Sequence, residues 1–375
     1  MPRTTGITYR AALIGCGSMG SFYMDEMVDY PGRQPLPVGH AEVLRTHPRA
    51  NLVAGADPDA ERLAAFGRRW EVARLYRDHR EMLENERPEI VSVASPPALH
   101  AQHVIDCAEQ GVRGVFCEKP LATSLGEADA VRAACGRHGA ALCVNHLLRG
   151  DPWHRQARRL IQEGAIGDLL TVTTSWSGRL FLTGTHRFDL SNFFTGEDAT
   201  AWLIGHTEEP TSHQTVVPTQ RGVDVGGTAY VVYAGGVRAF FNGRDGSPVT
   251  RIDLMGSRGM IGLDSNEAQL WRADTTSRFR RLLRYPFPQM MHYTAPMVFL
   301  LDDLIAAMES GREPISGGAV ARHALEQILA THFSALHGNC RVDFPFTDTE
   351  MRPPYRWAGK GGETAYEPPG LGESR

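Results

Sequence analysis

The chain has six cysteines but no C-x-x-C pair. Without that spacing a zinc ribbon and a thioredoxin-like redox motif are excluded. The cysteines sit among apolar neighbours, as in Val115-Phe116-Cys117 and Ala141-Leu142-Cys143-Val144. They read as buried, reduced thiols of a cytosolic protein. No apolar run approaches about 18 residues, so no membrane span is expected. Ala11 to Ile14 is too short for a signal-peptide core, so no targeting segment is predicted and the expected location is the cytoplasm. Neither sign of charge is in large excess: the net charge is −4, which calls for neither nucleic acid nor an anionic membrane as partner. The arginines between Arg278 and Arg284 read as a solvated edge. No G-x-S-x-G elbow occurs. His100 and His103 have i, i+3 spacing but no third ligand, so no metal is expected. Internal repeats and low-complexity blocks are absent.

What is present suggests two domains, from 375 residues of ordinary composition, 42% hydrophobic and 22% charged. Through about residue 145, strand-like and helix-like pieces alternate. Tyr9 to Ile14, Asn51 to Ala56, Glu89 to Ala94, Gly114 to Cys117 and Ala140 to Asn145 read as strands. Ala60 to Trp70, His100 to Gln110 and Ser124 to His138 read as helices. That order predicts βαβ units around a parallel sheet. Later helices are expected over Trp153–Glu163, Thr294–Ser310 and Ala319–His337. Later strands are expected over Asp168–Trp176, Thr228–Phe241, Thr250–Met255 and Gly259–Asp264, with a last one near Arg341–Phe344. These strands follow glycine-containing turns rather than long helical crossovers, which predicts antiparallel pairing. The tail from Arg352 is rich in Pro and Gly and is expected to be loosely held.

Gly15-Cys16-Gly17-Ser18-Met19-Gly20 leaves the first strand as a G-x-G-x-x-G loop. Such glycines let backbone N–H groups approach a pyrophosphate. Asp57 ends the second strand, 37 positions after Gly20, where about 20 is usual. The surplus lies in Tyr30 to Gly39, with Pro31, Gly32, Pro35, Pro37 and Gly39, read as an inserted loop. The helix is expected to resume at about His40. A carboxylate at Asp57 suits an adenosine ribose diol and repels a 2′-phosphate, so NAD is favoured over NADP. Pro58 and Asp59 supply no cation to hold such a phosphate. Asp57-Pro58 is also a good helix start, and both roles are compatible. Glu118-Lys119-Pro120 follows another buried strand. Lys119 there can donate to a substrate oxygen; a surface lysine in a turn is the competing reading.

These motifs occur in order with Ser95-Pro96-Pro97-Ala98-Leu99-His100, Cys117-Glu118-Lys119-Pro120-Leu121-Ala122, Leu160 to Gly167, Gly184-Thr185-His186-Arg187-Phe188-Asp189 and Gly256-Ser257-Arg258-Gly259. Over roughly residues 8–345 the chain resembles the glucose–fructose oxidoreductase/inositol dehydrogenase (Gfo/Idh/MocA) superfamily. The resemblance implies an α/β fold. An N-terminal Rossmann dinucleotide-binding domain (1–148) would precede a C-terminal α+β domain (149–350) with an open, mainly antiparallel sheet for substrate binding and oligomerisation, and a tail (351–375). It implies NAD contacts from Gly15, Gly17, Ser18, Met19, Gly20, Asp57, Ser95, Pro96, His100, Glu118 and Lys119. Lys119 would lie beside the nicotinamide, and His186 would exchange the proton of the substrate alcohol. An imidazole suits that task because its pKa lies near working pH. One departure stands out: where many members carry an Asp four residues before the His, this chain has Leu182. Asp189 remains, as an orienting or substrate carboxylate or as a helix-start residue.

Further candidates for the substrate are Asn145, His146 and Arg149 after the last strand of the first domain, Trp176 and Arg179 at a strand end, and His292 before a helix. For each, ordinary packing or a surface position is the competing reading. The leading functional expectation is an NAD-dependent oxidoreductase acting on a secondary alcohol or ketone of a sugar, sugar derivative or cyclitol. Two alternatives stand beside it: a glycosidase or lyase that oxidises C3 transiently, and a catalytically silent dinucleotide-binding regulator. Lys119 and His186 together argue against the last. A homodimer or homotetramer is expected, because one face of an open sheet needs cover.

Overall fold

The computed structural model describes residues 7–26, 37–208, 220–221, 224–244, 246–274, 276, 281–288, 294–353 and 356–357. The described residues fall into two compact units, those within 1–150 and 294–322, and those within 151–293 and 323–375.

In the first unit, β1 (Tyr9–Ile14) is buried at every residue except Arg10, as befits a strand covered on both faces. It pairs in parallel with β2 (Ala50–Ala56) and β4 (Ile90–Val93). With β3 (Arg74–Tyr76), β5 (Gly114–Cys117) and β6 (Ala141–Val144) they form one sheet in the order β3-β2-β1-β4-β5-β6. The order reverses between β1 and β4, which is where such sheets bind dinucleotides. One π-helical turn (Ser18–Phe22) runs into α1 (Tyr23–Glu26), and α2 (His40–Thr46) opens at His40, as expected. Residues 30–36, most of the Tyr30–Gly39 insertion, lie outside the described residues. Asp59 caps α3 (Ala60–Trp70) and Asp78 caps α4 (His79–Glu86), each accepting backbone N–H groups of the first turn. α5 (Pro97–Glu109) starts earlier than expected, because Pro97 occupies its first turn. α6 (Leu125–His138) has Ser124 as its N-cap and a left-handed Gly139 at its end.

α9 (Pro296–Ser310), placed by the sequence in the second domain, belongs to the first unit. Its Met297, Leu300, Leu301, Leu304 and Ile305 share a core with Tyr9, Leu13, Ile90, Phe116 and Cys143. Polar contacts lock it there. Tyr9 donates to Glu309 at 2.8 Å, Arg49 pairs with Glu309, and His47 Nε2 lies 2.9 Å from Asp302.

The second unit carries α7 (Pro152–Gln162), β7 (Leu169–Ser177), α8 (Thr185–Thr195), β8 (Thr200–Thr207), β9 (Gln220–Arg221), β10 (Gly227–Tyr233), β11 (Arg238–Arg244), β12 (Arg251–Gly256), β13 (Gly259–Asp264), β14 (Ala268–Ala273), β15 (Leu282–Tyr285), most of α10 (Gly318–Leu336), β16 (Val342–Asp343) and β17 (Arg356–Trp357). Its large sheet has the order β15-β14-β13-β12-β7-β11-β10-β8-β16. The sheet is mainly antiparallel, with one correction to the expectation: β7 and β11 run parallel, Thr171 opposite Arg238. The stretch Thr228–Phe241 is two strands rather than one, folded at Ala234–Val237. β11 alternates exposed and buried residues without a break, so one sheet face is core and the other is open. On the open face Tyr230 stands between Trp202 and Phe240, with ring centroids 5.4 and 5.0 Å away. Among the described residues, no helix is long and apolar enough to cross a membrane.

Candidate active site

The glycine loop is closed by backbone against backbone. Gly15 has φ +90°, and a Cβ there would lie 2.7 Å from the Ala94 carbonyl. A Cβ on Gly20 would lie 2.0 Å from the Gly15 carbonyl oxygen. Gly17 differs: its backbone is extended, and a Cβ would meet only the Arg62 side chain, 3.8 Å away. Ser18 is exposed and Met19 half-buried beside it. The loop thus presents a bare, open backbone at Gly17, the cradle a bound pyrophosphate needs.

Asp57 stands at the end of β2 with 4% of its surface exposed. Its Oδ2 accepts from Cys16 N at 2.9 Å, tying it to the glycine loop, and its Oδ1 accepts from Asp59 N at 2.9 Å. The helix-cap role falls to Asp59, which accepts from Glu61 N and Arg62 N. A cation does stand nearby, from further along the chain. Pro58 and Asp59 supply none, but Arg62, one turn into α3, brings its guanidinium within 3.6 Å of Asp57 and 3.7 Å of Asp59. The signal was a helical offset rather than adjacency.

Ser95 and Pro96 form the turn after β4, and Glu118 and Lys119 the turn after β5. His100 joins the two turns: Nδ1 lies 2.7 Å from the Pro120 carbonyl and Nε2 2.7 Å from the Ser95 carbonyl. Both ring nitrogens are taken by those carbonyls, so it braces the turns and has none left to offer a cofactor, a correction to its expected role. Burial pushes its pKa down while the two carbonyls pull it up. Ser95 Oγ lies 2.9 Å from His103 Nδ1. Burial, with the neighbouring His79 and His100, holds the His103 pKa at about 3, so the ring beside Ser95 is neutral.

Glu118 is the centre of a buried polar chain. Oε1 accepts from Asn145 Nδ2 at 2.5 Å and faces His40 Nε2 at 2.9 Å. His40 Nδ1 lies 3.1 Å from Ser92 Oγ. Oε2 accepts from the Lys119 backbone N–H at 3.2 Å. Burial pushes the Glu118 carboxyl up, but the His40 hydrogen bond and charge, the Lys119 charge and Asn145 together bring it down to about 2. The carboxylate therefore stays ionised and anchors the Lys119 backbone. His40 was visible only as the start of a helix; its distance in sequence from Glu118 hid the pairing. His146 is buried, and its backbone N–H donates to Val144 at 2.7 Å. Arg149 is buried too and donates to the Ile315 carbonyl at 3.0 Å.

In the second unit Trp176, Arg179, His186 and Asp189 gather around the end of β7 and the start of α8. Trp176 is 1% exposed. A Cβ on Gly243 would stand 2.1 Å from its indole. The ring packs over that glycine and presents no free face for a sugar, a correction to its expected role. The Arg179 carbonyl accepts from Trp176 Nε1 at 3.4 Å and from Gly184 N at 2.8 Å. Asp224 was not singled out in the sequence. Its carboxylate accepts from Phe181 N at 3.1 Å and Leu182 N at 2.9 Å, so a carboxylate serves the Leu182 loop from another strand's approach. His186 is half-buried in the first turn of α8, and Asp189, one turn on, is fully buried. α8 is clamped to α10 by buried amides: Asn192 Nδ2 donates to Gln327 at 3.0 Å and Gln327 Nε2 donates back to Asn192 at 3.1 Å, while Tyr233 OH on β10 donates to Asn192 at 2.8 Å. His292 lies outside the described residues.

The first unit therefore collects the glycine loop, Asp57, Ser95, Glu118, Lys119 and Asn145 at the C-terminal ends of one parallel sheet. That arrangement defines a dinucleotide-binding Rossmann domain. Residues 9–146 match a family described as an oxidoreductase family with an NAD-binding Rossmann fold, GFO_IDH_MocA. The chain is 27% identical over 361 residues to the D-apiose dehydrogenase of Paraburkholderia graminis, covering 89% of this chain and 90% of that one. It is 27% identical over 307 residues to the myo-inositol 2-dehydrogenase of Thermotoga maritima, covering 76% and 89%. In fold it is similar to the aldose–aldose oxidoreductase of Caulobacter crescentus complexed with glycerol, with a TM-score of 0.73, 19% identity, and 90% and 100% of the two chains covered. A second neighbour is the WlbA dehydrogenase of Bordetella pertussis in complex with NADH and UDP-GlcNAcA, with a TM-score of 0.69, 19% identity, and 90% and 99% covered. The likeness to the Gfo/Idh/MocA oxidoreductase family is carried by the Rossmann residues 9–146.

Proposed function

We propose that this protein is an NAD-dependent dehydrogenase or reductase acting on a secondary alcohol or ketone of a sugar, sugar derivative or cyclitol. The observation that carries this reading is Lys119, which follows an ionised Glu118 anchored at three points, on the same sheet edge as the glycine loop and Asp57. The curated relatives, a D-apiose and a myo-inositol dehydrogenase, support the substrate class.

The residues of the first unit fit a dinucleotide. Gly17 leaves the loop backbone bare, Gly15 and Gly20 close it, and Asp57 offers its carboxylate to the ribose. Asp57 favours NAD; Arg62 tempers that preference by supplying positive charge within reach of a 2′-phosphate. Bound there, the nicotinamide supplies the acceptor for a carbinol hydride. Lys119 donates to the alcohol oxygen and stabilises charge developing on it. His186 takes the hydroxyl proton, or returns it in reduction. Asp189, one helical turn from His186, places a buried carboxyl group on the same helix. The open sheet face, with Trp202, Tyr230 and Phe240, is proposed to meet a second copy of the chain. Cytoplasmic location is part of the same reading.

The test is a panel of sugars, cyclitols and aryl glycosides followed at 340 nm and by product analysis. NADH formed in step with an oxidised sugar or cyclitol supports the reading. Cleaved aryl glycoside with no net NADH would replace it with the transient-oxidation chemistry.

A further inference from the structure

Ser92, His40, Glu118 and Asn145 form a chain of side chains under the ends of β4, β5 and β6, none more than 4% exposed. The chain has a fixed polarity. Glu118, at about 2, is ionised, and an ionised carboxylate only accepts. Asn145 must therefore turn Nδ2 toward it, 2.5 Å away; the reversed amide would set oxygen against oxygen. The Asn145 backbone is fixed as well, donating to the Cys117 carbonyl at 2.7 Å. The other end of the amide, Oδ1, is thus locked in place as an acceptor. It is buried and has no hydrogen-bond partner. A buried acceptor left in that state is costly, and such groups in folded proteins call for a donor.

Its position selects the donor. Asp57 ends β2, on one side of the reversal in strand order, where the adenosine ribose is proposed to lie. The nicotinamide half then falls across the ends of β4, β5 and β6, where Asn145 stands. The ring's own N–H donor is its carboxamide. We infer that Asn145 Oδ1 accepts a hydrogen bond from the nicotinamide carboxamide and so fixes the ring's rotation. Asn145 is then a cofactor-positioning residue rather than the substrate contact expected from the sequence. Glu118, His40 and Ser92 serve it by holding the amide in one orientation. The inference rests on the proposed use of a nicotinamide dinucleotide.

The test is equilibrium binding by fluorescence titration with NADH, its thionicotinamide analogue and its 3-acetylpyridine analogue, all reduced. The thio analogue keeps the amide N–H; the acetyl analogue puts a methyl group in its place. The wild type should bind the acetyl analogue at least about tenfold more weakly than NADH, and the thio analogue within about threefold. In Asn145→Ala, checked for a native-like unfolding transition, the NADH/acetyl ratio should fall to near one. Equal binding of NADH and the acetyl analogue by the wild type overturns the inference without needing any variant. Undiminished discrimination in Asn145→Ala overturns it too, and assigns the amide to another acceptor; Asn145 Oδ1 then answers to Lys119 or a substrate hydroxyl. If the wild type bound none of the three, the proposed function itself would fall.

Discussion

Replacing the loop glycines one at a time by alanine separates backbone closure from ligand approach. A Cβ on Gly20 would stand 2.0 Å from the Gly15 carbonyl oxygen, and one on Gly15 2.7 Å from the Ala94 carbonyl. Both obstacles are backbone, which no rotamer change can move. Gly15 also sits at φ +90°, where alanine is strained. Overpacking and backbone strain each cost about 1–3 kcal/mol. Gly15→Ala and Gly20→Ala should each destabilise the protein by at least about 2 kcal/mol, lowering the unfolding midpoint by about 4 °C or more. Gly17→Ala should do the opposite. Its φ is −79°, which any residue adopts, and the nearest atom to a new methyl is 3.8 Å away. Its stability should hold or rise by up to about 1 kcal/mol, because the unfolded chain loses freedom. The methyl would nevertheless stand in front of the loop, and NADH affinity should fall at least about tenfold, or about 1.4 kcal/mol. Scanning calorimetry and NADH fluorescence titration on the three variants give both readouts. A Gly17→Ala protein as unstable as Gly20→Ala would refute the steric reasoning. One with full NADH affinity would remove the loop from the cofactor site.

Lys119→Ala and His186→Ala should each lower kcat by at least about a hundredfold, with NADH binding little changed. Their double variant should lose less than the product of the two, since groups acting together are not additive; steady-state turnover on a verified substrate decides. Arg62→Ala should widen the preference for NAD over NADP by at least about fivefold in kcat/KM, by removing the cation 3.6 Å from Asp57; an unchanged ratio would exclude Arg62 from the phosphate's reach. Glu118 is held at about 2 against an ordinary 4.5. Its contribution, about 3 kcal/mol, is fully present above pH 4.5 and is lost as pH falls toward about 2. Urea unfolding at stepped pH should therefore show a shallower acid limb in Glu118→Gln, and parallel limbs would contradict the assignment. Tyr230→Glu on the open sheet face should shift sedimentation toward the monomer if a second copy covers that face, and a wild type that already sediments as a 41.3 kDa monomer would refute the pairing.

Much of the first unit was legible because its strands are short apolar runs punctuated by glycine, and its helices carry ordinary caps. Asp57 could be placed despite the insertion because it ends a strand. α8 was missed for a physical reason: Thr185 and Phe188 to Phe194 are all buried, so the helix has too narrow a polar face to show a 3.6-residue pattern. β3 and α4 escaped because β3 spans three residues and its Arg74 and Leu75 are exposed. β15 is exposed at all four residues, and its Arg284 read as part of a solvated edge. The parallel β7–β11 pair joins segments separated by α8, β8, β9 and β10, and no local signal announces such a pairing. At the site, Lys119 and His186 came from motif order, whereas His40, Arg62 and Asp224 act through partners 78, 5 and 42 positions away. The contacts of His40 and Asp224 leave no trace in spacing, whereas Arg62 lay one helical turn on and was overlooked.

The return of α9 to the first sheet has a consequence for how the chain is made. Synthesis runs from the N-terminus, so all six strands of that sheet emerge from the ribosome before Pro296 does. Until then the surface meant for Met297, Leu300, Leu301, Leu304 and Ile305 is bare. The first unit cannot close early and wait for the second, as independent domains do during translation. A chain halted near Gly150 would carry a finished glycine loop on an unfinished core, and would be a nascent-chain chaperone's client rather than a miniature cofactor-binding protein.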